Sequence, residues 1–423
     1  MHRSCFIKVC AIGMMTTAFT LLSDGNVHAG DVLYSFLGGS DGLAPTSGLI
    51  ADKEGNFYST TDAGGSSDHG AVFRLAPNGK ETVLYSFAGG SDGAYPQAGL
   101  AQDGHGNLFG TTSEGGADNL GTVFKLAPDG TETVLHSFVG GYDGSGPLAG
   151  VILDRKGNLY GTTQSGGSTA CPGTCGVIFE ITRAGKERIL YRFTGSPDGA
   201  YPLSSLLMDK AGNLYATTLG GGVQSNFCGV GCGTVVELSP TGKGHWSETV
   251  IYAFQGDGND TTNPWANVIA DSAGNLYGTA TLGGNYNDCQ SGGCGAVYQL
   301  TPAGGGAWTE TVLYAFTGGK DGDTPYAGLV RDAEGNLYGT TFSGSRSANC
   351  TFYGCGAVFR IAPDGTATVL HTFKGGAKDA ANSSANLVID AKGDLYGTSQ
   401  AGGSGPCNDE GQLGCGTVFR LKR

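Results

Sequence analysis

Charge is scarce in this chain. Only 14% of its 423 residues are Asp, Glu, Lys or Arg, and the 24 basic residues are outnumbered by 37 acidic ones, for a net charge of −13. No extended Lys/Arg cluster appears. Nucleic acid and anionic membrane surfaces require such a patch, so neither is expected as a partner. Helical periodicity is missing too: no segment sustains an apolar face at the 3.6-residue period. Beyond residue 29 no apolar run approaches the roughly 20 residues of a membrane span. A nucleophile elbow, a phosphate-binding loop and a zinc-protease motif are all lacking. The histidines His69, His105, His136, His245 and His371 form no metal-spaced pair. These absences remove the common signatures of acyl transfer, nucleotide chemistry and zinc hydrolysis.

Glycine is abundant instead, at 78 residues. It has no three-residue period, which excludes collagen. Val, Leu, Tyr and Phe recur in alternation, which argues against disorder, and 39% hydrophobic residues suffice for a packed core. So much glycine implies many tight turns and close backbone approaches.

Residues 1–29 read as a signal peptide. Arg3 and Lys8 precede the apolar stretch from Val9 to Leu22, and Val27-His28-Ala29 fits the small-x-small cleavage rule. An uncleaved anchor is the rival reading. Cys5 and Cys10 lie before or at the start of the apolar stretch, not where a lipoprotein cysteine would sit.

From residue 30 onward the chain repeats itself. A Tyr/His-x-Phe anchor ends at Phe36, Phe87, Phe138, Phe193, Phe254, Phe316 and Phe373, with spacings of 51, 51, 55, 61, 62 and 57 residues. An Asp-x-x-Gly-Asn signature begins at Asp52, Asp103, Asp154, Asp209, Asp271 and Asp332, with a seventh copy at Asp390 that carries Asp394 in place of Asn. A third signature, Gly-x-Val/Ile followed by an aromatic residue or Val, begins at Gly70, Gly121, Gly176, Gly233, Gly295, Gly356 and Gly416. Each unit divides into four short runs rich in β-branched and aromatic residues, bounded by Gly, Pro and Asp turns. Four antiparallel strands repeated at this period predict an all-β, seven-bladed β-propeller; a β-solenoid is the structural rival. The blades fall at about 48–87, 99–138, 150–193, 205–254, 267–316, 328–373, and 386–423 completed by 31–36. Asp31 to Phe36 reads as a lone fourth strand, and Gly416 to Leu421 as a third strand. Their pairing is expected to close the ring and remove two open sheet edges.

The recurring text Val-Leu-Tyr-Ser-Phe, Gly-Gly-x-Asp-Gly-x-x-Pro, Gly-Asn-Leu-Tyr-Gly-Thr-Thr and Gly-x-Val-Phe-x-Leu resembles the GloVer-type, or choice-of-anchor, tandem-repeat proteins. The copies tile nearly all of residues 31–423. The resemblance implies an exported bacterial protein, often with a C-terminal surface-sorting segment. This chain departs there, stopping at the last strand, so a soluble secreted or periplasmic product is expected. The resemblance transfers no catalytic residue.

Ten cysteines lie beyond residue 30 and form five local pairs: Cys171/Cys175, Cys228/Cys232, Cys289/Cys294, Cys350/Cys355 and Cys407/Cys415. Each pair falls between the second and third strands of its unit. An even count in an exported chain reads as five disulfides. A structural zinc site is the alternative, but it needs four ligands, and each unit offers two sulfurs without a nearby His. The first two units carry Asp68-His69 and Asn119-Leu120 at this place.

The cysteine loops and the Gly-Gly-x-Asp-Gly loops should share one face, which is where function on a rigid scaffold is expected. Asp41, Asp92, Asp143, Asp198 and Asp321 stand at matching loop positions there, with Tyr95, Tyr201, Trp265 and Tyr326 just before the innermost strands. Carboxylates beside flat aromatic faces suit a sugar, or, with carbonyl oxygens, a Ca²⁺ ion, the one cofactor weighed. The same aspartates also fit turn residues that bond their own backbone. The Asp-x-x-Gly-Asn segment likewise fits either a partial Ca²⁺ loop or a hairpin turn. Glu114, Asp118 and Asp288 break the repeat and are the carboxylates to test for catalysis.

Three functions remain open. The first is a non-catalytic binding or scaffold propeller recognising an extracellular glycan or protein. The second is a propeller lyase, lactonase or glycosidase drawing acid and base from non-equivalent loops. The third is a structural envelope or matrix protein. A monomer is expected in each case.

Overall fold

The computed structural model describes residues 30–423 apart from 169, 170, 172–174, 226, 227, 257–259, 285–288, 290, 291, 351, 352, 410 and 411. The proposed signal peptide and Asp288 therefore lie outside the described residues. Among the described residues there is no α-helix, only the single 3₁₀ turns Gly39–Asp41 and Gly141–Asp143.

Seven four-stranded antiparallel sheets form the blades of a β-propeller among the described residues. The second blade is representative, with strands Ala101–Gln102, Leu108–Thr112, Thr122–Leu126 and Glu132–Ser137 running from the inside outward. The last sheet is assembled from both ends of the chain. Val388–Ile389, Leu395–Ser399 and Thr417–Leu421 supply three strands, and Asp31–Ser35 pairs with Thr417–Leu421 as the fourth.

Blades pack face to face, so the middle strands are buried on both sides; Leu108–Thr112 is buried throughout. The anchor phenylalanines seal the seams. Phe36, Phe87, Phe138, Phe193, Phe254, Phe316 and Phe373 are all at most 1% exposed. Phe87 meets Phe124 of the next blade edge-to-face at 5.1 Å, and Phe36 meets Phe73 likewise at 5.0 Å. Such pairs add about 0.5–1.5 kcal/mol beyond area burial. The glycine of Leu-Tyr-Gly-Thr-Thr makes room for this aromatic layer. A Cβ at Gly110 would lie 2.6 Å from the Phe124 ring on the paired strand.

A polar ring complements the aromatic one. The first threonine hydroxyl after that glycine position donates to a main-chain carbonyl of the next blade: Thr60 to Ala98, Thr111 to Ala149, Thr162 to Ser204, Thr217 to Ala266, Thr279 to Ala327 and Thr340 to Ser383. Thr398 makes the same bond to Ser47 of the first blade.

The Asp-x-x-Gly-Asn segments are hairpin turns. Asp103 accepts from the Asn107 backbone amide at 3.0 Å and its side-chain amide at 2.8 Å. In the first blade Asp52 also receives the Tyr58 hydroxyl at 2.9 Å. The longer spacing of the fourth and fifth units goes partly into extended outer hairpins, Thr234–Gly242 with His245–Ala253 and Ala296–Gly304 with Ala307–Ala315. There Pro-Asp-Gly is replaced by Thr241-Gly242-Lys243-Gly244 and by Gly304-Gly305-Gly306. Trp246, on the first extension, reaches across to Tyr160 of the preceding blade at 6.3 Å.

Candidate functional site

The two sets of glycine-rich loops are bonded to each other. The Gly116 amide donates to the Gly90 carbonyl at 2.9 Å, and Ala94 and Glu114 form an antiparallel bridge. Equivalent amides run from Gly65 to Gly39, from Gly167 to Gly141 and from Gly403 to Gly376. Both loop sets therefore form one face.

All five cysteine pairs are disulfides, with Cα–Cα separations of 4.9–5.4 Å. The second cysteine stands at the blade seam, where its carbonyl accepts the amide of a residue on the next blade: Cys175 from Tyr201, Cys232 from Asn263, Cys294 from Thr324, Cys355 from Asn382 and Cys415 from Ala44. The two bridgeless blades reproduce this arrangement with other chemistry. His69 and Leu120 accept the seam bonds from Tyr95 and Gly146. Asp68 and Asn119, at φ of 63° and 56°, turn their side chains back onto the amides of Gly64 and Gly115 at 3.0 and 2.9 Å.

The recurring loop aspartates are each held within their own loop. Asp41 accepts from the Tyr34 hydroxyl at 2.5 Å and the Leu37 amide at 2.7 Å. Asp92 accepts from Tyr85 at 3.0 Å and Ala88 at 2.8 Å. Asp198 does so from Tyr191 and Thr194, and Asp321 from Tyr314 and Thr317. Asp143 takes the Val139 amide and lies 3.1 Å from His136 Nε2. The structure adds two members missed in the sequence, Asp260 with Tyr252 and Asp379 with His371, where the separation is eight residues instead of seven. These carboxylates tie the outer strand to the following loop and are not brought together with one another. Tyr34, Tyr85, Tyr191 and Tyr314 are all pushed well above the ordinary phenol range, first by burial and then by the adjacent carboxylate.

Behind these pairs stands a glutamate from the outer strand of the next blade. Burial and the neighbouring Asp41 push Glu81 up to about 7, and burial with Asp92 does the same to Glu132. Glu248 reaches about 7 through burial and Asp198, opposed by a Tyr191 hydrogen bond. Oε1 of Glu81, Glu132, Glu187 and Glu248 is buried without a hydrogen-bond partner among the described residues.

The central channel gathers residues from different blades. It encloses about 670 Å³ and is lined by the segments leading into the innermost strands. Two of its lining asparagines are bonded, Asn386 Nδ2 donating to Asn267 Oδ1 at 3.0 Å, while the Gly328 amide donates to Asn386 Oδ1 at 2.6 Å. The remaining wall is asymmetric. Trp265 meets Tyr326 edge-to-face at 5.0 Å, and Tyr326 meets Phe342 at 5.3 Å. Asp62, Gln97, Ser384 and Gln400 contribute polar side chains to the same channel. Asp62 is the one carboxylate among the described residues lining it, and its Oδ1 is buried without a partner among the described residues. Burial pushes the Asp62 carboxyl up, a hydrogen bond from Gln97 opposes this, and the charge of Glu114 adds to the rise.

Of the aromatic candidates, Trp265 and Tyr326 line the channel, whereas Tyr95 and Tyr201 occupy a different repeat position. Those two precede the loop proline, with φ of 55° and 59°, and their amides serve the seam. Phe342, Asp62, Gln97 and Gln400 were not anticipated. The signal for Asp62 and Phe342 lay in one repeat column, which reads Asp62, Ser113, Gln164, Leu219, Thr281, Phe342 and Gln400. Glu114 and Asp118 are exposed on their loop. Among the described residues no three His, Cys, Asp or Glu side chains group as a metal site.

No curated protein matches the chain. Among solved structures, the extracellular domain of a one-component system from B. thetaiotaomicron is similar with a TM-score of 0.56 and 10% identity, over 94% of this chain and 40% of that one. The extracellular domain of a hybrid two-component system from the same organism gives 0.51 and 13%, over 90% and 39%. This chain thus spans only 40% and 39% of the length of those two proteins. A gluconolactonase from Xanthomonas campestris gives 0.41 and 15%, over 77% and 85%. At these identities the likeness to the two extracellular domains concerns the fold alone. The model of the Gloeobacter/Verrucomicrobia repeat matches residues 13–230 and 223–423. The chain belongs to the Gloeobacter/Verrucomicrobia repeat family.

Proposed function

We propose that this protein is an exported binding propeller that takes a glycan at the mouth of its channel without turning it over. The observation that carries the reading is the two-sided wall, with Trp265, Tyr326 and Phe342 facing a channel shared with Asp62, Gln97, Ser384 and Gln400. A sugar ring presents an apolar C–H face and a polar edge, and this wall offers a counterpart to each. The channel volume of about 670 Å³ is within the range of small-ligand sites. The recurring loop aspartates, each saturated by its own tyrosine or histidine and backbone, are assigned to architecture. Export is supported by five disulfides, which persist in oxidising compartments. A glycan array probed with the full chain tests the proposal. Binding that Trp265→Ala and Tyr326→Ala both weaken supports it; an array with no ligand above background overturns it.

A hydrolase reading draws on one further observation, the charge of Glu114 acting on the half-buried Asp62 beside the channel. Two carboxylates could serve as acid and base. Release of reducing ends from a bound glycan, abolished in Asp62→Asn, would favour this reading over simple binding.

A further inference from the structure

We infer that the channel mouth selects saccharides bearing a free ammonium group, and that Asp62 is the residue that reads it. The inference rests on the glycan reading above and specifies its ligand.

The fold does not require an acid at this place. Six equivalent positions hold Ser113, Gln164, Leu219, Thr281, Phe342 and Gln400, so the column accepts polar, aliphatic and aromatic side chains alike. The main chain of Asp62 is fixed as in the other blades, with its amide donating to Ala44 at 3.1 Å, as Ser113 donates to Tyr95 at 3.1 Å. What is particular to this blade is the carboxyl. The carboxyl takes a hydrogen bond from Gln97, but its Oδ1 is buried and without a donor among the described residues. A buried acceptor without a partner is unfavourable, and a ligand that brings a donor relieves that cost.

The surroundings decide which donor. Among the described residues no Lys, Arg or His lines the channel to balance Asp62. Glu114, whose charge is felt at Asp62, has the same sign. Three aromatic rings share the channel with Asp62, and ring faces attract cations. A hydroxyl would supply a single neutral hydrogen bond. An ammonium would supply a charge-assisted bond to Asp62 and would also be favoured by Glu114 and by the ring faces. With a net charge of −13, the whole molecule further favours the approach of a cation. Gln97, which bonds Asp62, and Gln400, which donates to Ser384 at 2.9 Å, add a polar edge to the same channel that sugar hydroxyls can meet.

The test is isothermal titration of the full chain at neutral pH and low salt with three oligosaccharides of equal length: a glucosamine oligomer with free amines, its N-acetylated counterpart and a glucose oligomer. The free-amine oligomer is expected to bind at least about tenfold more tightly than the other two, the scale of one charge-assisted hydrogen bond. Asp62→Asn should remove that preference and leave comparable weak binding of all three, while Trp265→Ala should weaken all three together. Thermal melting of both variants establishes that they are folded. Equal affinity for the three oligomers, or a preference that survives Asp62→Asn, overturns the ammonium assignment and leaves the glycan reading in place. Failure of all three to bind overturns the glycan reading itself. Asp62-dependent binding of a simple polyamine in the absence of oligosaccharide binding would retain the cation and overturn the sugar.

Discussion

Thr398 Oγ1 donates to the main-chain carbonyl of Ser47 at 2.8 Å, joining residues 351 apart in sequence. The bond is the seventh member of the threonine ring, chemically the same as that from Thr60 to Ala98 within 38 residues. Equal chemistry at very different sequence separation allows a clean comparison. Thr398→Val and Thr60→Val should each cost about 1 kcal/mol in denaturant unfolding, the usual net worth of such a bond. Phe36→Ala, which empties a seam between the last and first blades, should cost about 3–5 kcal/mol. A Phe36→Ala variant as stable as the parent would mean that the N-terminal strand contributes nothing to the ring.

Asp92 is a second case in which architecture and function can be told apart. Its carboxylate holds the Tyr85 hydroxyl and the Ala88 amide. Asp92→Ala should lower stability by about 2–3 kcal/mol, because hydrogen bonds to a charged acceptor are lost and their donors are left partly buried. Ligand affinity at the channel mouth should be unchanged. An affinity loss with unaltered stability would return this aspartate to the binding site.

The repeat made the blades legible because each blade is built from local turns. Asp103 with Asn107, and the anchor Phe87 one unit before Phe138, are repeated patterns within a single period. The loop aspartates stood out for the same reason and were therefore attractive as ligands, although their recurrence reflects a repeated bond to Tyr or His. Asp260 and Asp379 escaped notice because one extra loop residue moves them out of register. The channel was legible only in part. Trp265 and Tyr326 could be placed near the mouth, but their meeting with Phe342 and their sharing of a channel with Asp62 depend on ring geometry. Asp62 follows a strand and precedes Ala63-Gly64-Gly65, so in sequence it resembles an ordinary loop residue.

Breaking one disulfide should cost little. Cys350 and Cys355 close a loop with a sequence separation of five, worth about 2 kcal/mol by chain entropy. The double variant Cys350→Ser with Cys355→Ser should therefore remain folded, with stability lowered by about that amount. The first two blades show why: His69 and Leu120 carry the seam bonds without a bridge. If the double variant fails to fold in oxidising medium, the bridges hold the blades together and do more than fasten their loops.

The stability of the ring should depend on pH in a direction set by the seam glutamates. Burial and the facing Asp41, Asp92 and Asp198 raise Glu81, Glu132 and Glu248 to about 7, and burial with Asp260 raises Glu310 to about 8. An unfolded Glu titrates near about 4.3. The folded protein therefore holds these protons more tightly than the unfolded chain. Their contribution to stability is full below about 4.3 and is lost as pH rises through 7 to 8. The turn aspartates act in the opposite sense. Burial raises Asp332, but its bonds to Asn336, Tyr338 and Arg423 outweigh this and hold it at about 2. Its contribution is present above about 3.9 and is lost as pH falls toward 2. Asp52, Asp103 and Asp271 are lowered in the same direction. Thermal stability should thus be greatest near about pH 4, decline as pH rises from there through 7 to 8, and level off above that. These glutamates are partly solvated, so screening reduces the size of the effect but not its sign. In the triple variant Glu81→Gln, Glu132→Gln, Glu248→Gln the neutral amides stand in for the protonated acids, and the decline on the alkaline side should flatten. Equal melting temperatures for the parent protein at about pH 5.5 and about pH 8.5 would show that the seam carboxyls are solvated well enough to titrate as they do in the unfolded chain.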